Sequence, residues 1–96
     1  MNFEWDDSKN RQNIEKHGIG FEQAVKIFDG LTLCRADDRF DYGERREISI
    51  GLIDRTVAIV VVHTDRNGTC RIISARQANR KERERYEHEV QKKTDT

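Results

Sequence analysis

The chain carries no net charge, because eighteen basic and eighteen acidic residues cancel. That removes the simplest mark of a polyanion-binding protein. Cysteine is scarce. Cys34 and Cys70 are too few and too far apart for a zinc cluster or a disulfide-stapled scaffold, and each lies in a segment that reads as strand, so packed, reduced thiols are expected. No apolar leader follows Met1, and no run approaches the roughly 20 apolar residues that span a bilayer. A soluble, cytoplasmic chain with no membrane contact is expected. Gly-rich phosphate loops, zinc-ligand clusters, nucleophile elbows and paired-carboxylate signatures are all missing. No metal or organic cofactor is therefore expected.

What is present bounds the rest. A chain of 96 residues is long enough for one domain and too short for two; the domain is expected over 1–93, with 94–96 frayed. Apolar residues make up 34% and charged residues 38%, so the core must be thin and supported by a sheet, a partner chain or both. Charge is uneven along the sequence. From Arg71 to Lys93 eight Lys or Arg stand against four Glu, whereas Met1 to Cys70 holds ten against thirteen. A basic end on an acidic body attracts phosphate locally.

Asn2 to Trp5 reads as a short strand. Asp6-Asp7-Ser8 then offers the acceptors and negative charge that a helix start prefers, and Gly18 suits the left-handed cap of a helix from Asp7 to His17. Asn10, Asn13, Ile14 and His17 share one face of it, a polar face that must meet either water or a site. Phe21, Ala24, Val25 and Phe28 have the spacing of a helix pressed on a core, ended by Asp29-Gly30. Strands are expected at Leu31–Arg35, Arg46–Ile53, Val57–Thr64 and Thr69–Ala75, with an exposed loop from Ala36 to Glu44 and an Asn67-Gly68 hairpin turn. Short turns between consecutive strands imply an antiparallel sheet. In a regular strand Arg71 and Arg76 point to opposite faces unless a bulge or the strand end intervenes. Ala78 to Lys93 lacks Gly and Pro and carries the pairs Arg80/Glu84, Arg83/Glu87 and Arg85/Glu89, so it reads as a helix with only Ala78, Tyr86 and Val90 to anchor it. The order β-α-α-β-β-β-β-α is an α+β arrangement.

A constellation of polar residues remains: Lys9, Lys16, His17 and Glu22 from the first two helices, and Glu44, Arg45, Arg46, Arg71, Arg76, Arg80 and Tyr86 from the sheet and last helix. RNA cleavage suits such a set. The substrate supplies its own nucleophile, the ribose 2′-hydroxyl; a histidine can take or give the proton, and Lys and Arg offset charge on the phosphorane. No metal is required. Each residue also has a structural reading. His17 before a cap glycine is favoured by the helix dipole and can bond free carbonyls; Arg71 can pair with Glu47 or Asp54 across the sheet; a cluster from Arg80 to Arg85 is more often a solvated helix face. Trp5 reads as a core anchor, and His63 and His88 as having no catalytic part.

Taken in order, Phe3-Glu4-Trp5-Asp6-Asp7 with Lys9 and Asn13, Lys16-His17-Gly18, Phe21-Glu22-Gln23-Ala24 with Phe28, Gly43-Glu44-Arg45-Arg46, Gly51, Arg71 to Ala78 and Glu82 to Tyr86 resemble the BrnT family of bacterial toxins over residues 2–86. The resemblance implies a RelE-like ribonuclease fold, two N-terminal helices and a C-terminal helix on a small antiparallel sheet. It also implies a type II toxin that cleaves RNA and arrests growth. A cognate antitoxin neutralises it, typically as a heterotetramer that meets promoter DNA through the antitoxin. By that analogy His17 takes a base or acid role and Lys9, Arg46, Arg71 and Arg76 cationic roles; with the constellation above, His17, Arg76 and Lys9 are expected to be catalytic, and Lys16, Arg46, Arg71 and Arg80 to hold substrate. A non-catalytic subunit of a DNA-bound repressor is the alternative expectation.

Overall fold

Asp6 turns the chain from strand into helix. In the computed structural model, which describes residues 1–94, β1 (Asn2–Trp5) ends just before it and α1 (Asp7–His17) begins just after. The Asp6 carboxylate accepts from the Lys9 N–H at 3.1 Å, satisfying one of the free donors at the helix start. Gly18 ends α1 at φ 72°, a conformation in which glycine meets no Cβ clash. Both limits agree with the sequence reading.

The next helical stretch does not run as one helix. Phe21–Ala24 forms α2, and Val25–Asp29 tightens into a 3₁₀ turn. Packing roughly three residues per turn in place of about 3.6 rotates later side chains forward. Ile27 thereby becomes fully buried, while Phe28 stays at the rim and stacks on Phe3 with ring centroids 5.6 Å apart. Gly51 is what lets this turn lie so close to the sheet: a Cβ at that position would sit 2.8 Å from the Ile27 Cβ.

Strands β2 (Leu33–Asp37), β3 (Arg46–Ile53), β4 (Val57–Arg66) and β5 (Thr69–Gln77) form antiparallel ladders, and the sheet order is β1-β5-β4-β3-β2. β2 lies two residues later than its expected start at Leu31. The all-antiparallel expectation needs one correction. β1 runs parallel to β5, with Asn2 opposite Thr69 and Trp5 opposite Ile72; the helices and three strands between them supply the long crossover that parallel pairing requires. Two tight hairpins join β3 to β4 and β4 to β5. Asp54 and Arg55 have φ 52° and 63°, Asn67 and Gly68 φ 56° and 84°, the positive-φ pair that matches the twist of the flanking strands.

Continuous apolar sequence makes β4 the central strand, with Ala58 to Val61 all buried. Ile59 and Val61 meet Cys70, Ile72 and Ala75 of β5 in a core closed by Phe21, Ala24 and Ile27. Strict alternation would send Ile72 and Ala75 to opposite faces. A bulge prevents it: Val62 pairs with Ser74 and His63 with Ile72, so Ile73 is the extra residue. Directly opposed residues share a face. Ala75 opposite Val61 and Ile72 opposite His63 therefore point to the core, while Arg71, Ser74 and Arg76, opposite Thr64, Val62 and Val60, point to the second face.

α3 (Arg80–Thr94) crosses that second face. It starts two residues later than expected because the Ala78 N–H bonds the Ala58 carbonyl at 2.9 Å and extends the ladder. Asn79 and Glu82 then form a reciprocal cap, each side chain accepting from the other's N–H at 2.9 Å. Buried Tyr86 anchors the helix and donates its hydroxyl to the Leu31 carbonyl at 2.8 Å. Thr94 is still within the helix; of the tail expected to fray, Asp95 and Thr96 lie outside the described residues. Among the described residues no helix is long and apolar enough to cross a membrane.

Candidate functional site

The polar face of α1 divides: Ile14 and His17 meet water, as one of the two expectations had it, whereas Asn10 and Asn13 meet main chain. Asn10 accepts from the Phe21 N–H at 2.8 Å and so caps α2. Asn13, buried, donates to the Ala75 carbonyl at 2.7 Å and to the Ile19 carbonyl at 2.9 Å, and accepts from the Ala75 N–H at 3.1 Å. β1 pairs with β5 only as far as Ile72, so beyond that point one side-chain amide supplies both bonds that a neighbouring strand would give Ala75. His17, Lys9 and Lys16 are exposed on the same helix. Among the described residues no side-chain hydrogen bond or ion pair holds any of the three.

The arginines collect elsewhere. Asp37 is opposite Arg46, Thr64 opposite Arg71, and Arg71 opposite Glu4, so these residues lie in one row across the second face. Arg76 projects from the same face further along β5, and Arg66 from β4. The structure thus brings Arg46, Arg71 and Arg76 together and leaves Lys9, Lys16 and His17 on α1. Arg80 stays apart as well: 92% exposed, it pairs with Glu84 along the helix at 3.1 Å. Glu22 and Arg45 are exposed, and Tyr86 is committed beneath α3.

Arg46, Arg66, Arg71 and Arg76 are each oriented by a carboxylate. Arg71 meets Glu4 of β1 at 2.8 Å, which replaces the expected pairing with Glu47 or Asp54. Arg76 forms a two-point contact with Glu82 at 2.7 and 2.8 Å; this pairing raises its pKa and lowers that of Glu82. Glu44 lies between Arg46 at 3.4 Å and Arg66 at 3.2 Å, and the Arg46 guanidinium stacks 4.0 Å above the Tyr42 ring. Tyr42 in turn donates to Asp37, which Arg39 grips through two nitrogens at 2.8 and 2.9 Å. The Arg39 guanidinium is the main cause that pulls the Asp37 carboxyl down to about 2. Charge, hydrogen-bond donors and one aromatic ring therefore share a fixed face, an arrangement suited to a polyanionic strand.

The family and a solved relative agree with this architecture. The model for the ribonuclease toxin BrnT, of type II toxin-antitoxin systems, matches residues 5–82. The chain belongs to the BrnT toxin family. Among solved structures, the Brucella abortus ribonuclease toxin BrnT has the same mixed α+β fold, with a TM-score of 0.63 over 83% of this chain and 99% of that chain at 23% identity. No curated protein sequence matches the chain. Membership in a type II toxin family carries with it an antitoxin partner. The BrnT match ends at Glu82 and so takes in every arginine of the second face together with the carboxylate that fixes Arg76.

Sequence reasoning missed Glu4, Tyr42 and Arg66 as members of this BrnT face. Only Arg66 carried a usable signal, since it ends an apolar strand as Arg76 does. Histidine is absent from the face among the described residues. His63 lies on the core side, where its Nε2 is 2.7 Å from the Ser49 hydroxyl and its ring stands edge-on to Phe28; burial pushes its pKa down. His88 is exposed two positions from Tyr86, on the outer side of α3. The two thiols divide. Cys70 is packed as expected, its pKa pushed up by burial to about 11, whereas Cys34 is exposed and donates to Glu47 at 2.9 Å. No group of metal-ligating side chains is present among the described residues.

Proposed function

We propose that the second face of the sheet is the RNA-cleaving surface of this BrnT toxin, within a RelE-like ribonuclease arrangement. One observation carries the reading: the bulge at Ile73 turns Arg71 and Arg76 to the face that also holds Arg46. Guanidinium groups there bind the two phosphates flanking the scissile bond and offset the charge that grows on the phosphorane as the 2′-hydroxyl attacks. A metal ion has no necessary part in that chemistry. Proton transfer on this face falls to Glu44, the carboxylate held by Arg46 and Arg66 without a main-chain bond. His17 serves as acid or base only if the RNA passes round the sheet edge onto α1, where Lys9 and Lys16 also stand.

The cognate antitoxin neutralises the toxin by covering this face, in a heterotetramer that meets promoter DNA through the antitoxin. A repressor subunit without catalysis would need no aligned arginines. Purified protein mixed with total RNA in EDTA should degrade it, and expression without antitoxin should halt growth. Intact RNA with folded protein would contradict the reading. A cleavage defect in His17→Ala equal to that in Arg76→Ala would move the proton-transfer role back to His17.

A further inference from the structure

Between α3 and the second face of the sheet lies a cleft of about 260 Å³. It is smaller than the roughly 300–1,000 Å³ pockets that enclose drug-sized ligands, and suits a single flat ring system. Leu33, Ile48, Ile50 and Val60 form its apolar floor, and Tyr86 lines its helix side. Two arginines also line it, Arg35 from β2 and Arg85 from α3, and both are exposed. Among the described residues neither has a carboxylate within ion-pair distance. The expected partner of Arg85, Glu89, turns to Lys92 at 3.8 Å, and Arg35 feels Glu82 only at longer range. This contrasts with Arg46, Arg66, Arg71 and Arg76, each of which is paired.

We propose that this cleft seats one base of a single-stranded RNA, with the adjoining phosphate held by Arg35 and Arg85. The inference rests on the reading of the protein as an RNA-cutting toxin and adds to it a subsite that selects the base. A base offers a flat apolar face for the floor and is joined to an anion that two unpaired guanidiniums can share. An apolar side chain of a protein partner would fill the floor and leave both guanidiniums without a counter-charge. The cleft is continuous with the arginine face, since Glu82 lines it and also grips Arg76. A strand anchored here is therefore led toward Arg76. Glu89, lining the cleft with one long ion pair, retains acceptor capacity for N–H groups. Guanine offers it an adjacent ring N–H and amino group that fit both carboxylate oxygens, a pair that adenine, cytosine and uracil lack.

The test uses 2′-O-methyl trinucleotides, which cannot be cut through the 2′-hydroxyl, titrated into the isotopically labelled full chain. The methyl resonances of Ile48, Ile50 and Val60 should shift, with guanosine at the varied position binding most tightly. Ile50→Phe, which fills the floor, should abolish those shifts. Arg35→Ala with Arg85→Ala, two surface changes that spare the core, should weaken binding by about tenfold or more. Three results would overturn the proposal: no shift at the floor methyls, wild-type affinity in the double arginine variant, or floor methyls that respond only to an added protein partner. Equal binding of all four bases would overturn the role given to Glu89. Cleavage is measured separately. RNA cutting with a silent cleft removes this inference alone, and binding in the cleft without cutting removes the cutting reading alone.

Discussion

Arg71 and Arg76 leave β5 on the same face of the sheet, although their odd separation in sequence would set them on opposite faces of a regular strand. Ile73 is the residue that reconciles the two. Deleting it leaves a regular strand in which Ile72 and Ala75 still share the core face and both arginines the other. The deletion variant should fold with a loss no larger than the about 0.5–3 kcal/mol of an ordinary point change. Deleting Ile73 and Ser74 together should instead set Ile72 and Ala75 on opposite faces and unfold the chain. Thermal denaturation of the two variants checks this; equal loss in both would contradict the bulge account.

Asn13 stands in for a missing strand beside Ala75. Replacing it with leucine keeps the bulk and strands the buried N–H and carbonyl of Ala75. The expected cost is about 1–3 kcal/mol for each group left unpaired. Urea denaturation should show a lower midpoint with an unchanged slope, and a midpoint within error of wild type would show that water replaces the amide.

Gly51 faces Ile27 at a distance that no Cβ tolerates. Gly51→Ala should push the 3₁₀ turn off β3 and destabilise by about 1–3 kcal/mol. Pairing it with Ile27→Val, which trims the opposing side chain, should recover part of that loss. No recovery in the double variant would place the clash elsewhere.

Stability should fall in two acid steps. His63 is a base whose folded pKa is depressed by burial, with Glu47 opposing. Above its unfolded value of about 6.5 it is neutral in both states; below, the unfolded chain takes the proton more readily, so stability falls as pH drops. Asp37 is an acid held down to about 2, chiefly by Arg39. Its contribution is present above the usual carboxylate range and is lost as pH falls through that range toward 2. Thermal midpoints at pH 7.5 and 5.5 should differ in wild type and differ less in His63→Gln; identical slopes in both would contradict the first step.

Much of the fold was legible because local chemistry decides it. The cap at Asp6, the glycine at 18, the strand from Arg46 to Ile53 and the Asn67-Gly68 turn all follow from neighbouring residues alone. Non-local relationships were not legible. No local pattern announces that β1 lies parallel to β5, and the stretch from Arg71 to Arg76 reads equally as a regular or a bulged strand until its partner sets the register. The 3₁₀ turn escaped for a related reason, since the spacing of Phe21, Ala24, Val25 and Phe28 satisfies an α-helix while packing on Gly51 favours the tighter turn. The site followed the same division. Residue types suited to RNA cleavage were readable, whereas the separation of His17 from the arginines depends on where α1 docks, and Asn10 and Asn13 were serving main-chain groups.

We propose that aligned arginines on the second face cut RNA. The most direct test is the cleavage rate of a labelled RNA in EDTA, for wild type, Arg76→Ala and a distant control, Lys26→Ala, each first shown to be folded. Removing one charge-stabilising donor should slow cleavage by about a hundredfold to a thousandfold, while Lys26→Ala cuts at the wild-type rate. Arg76→Ala cutting as fast as the control would contradict the claim.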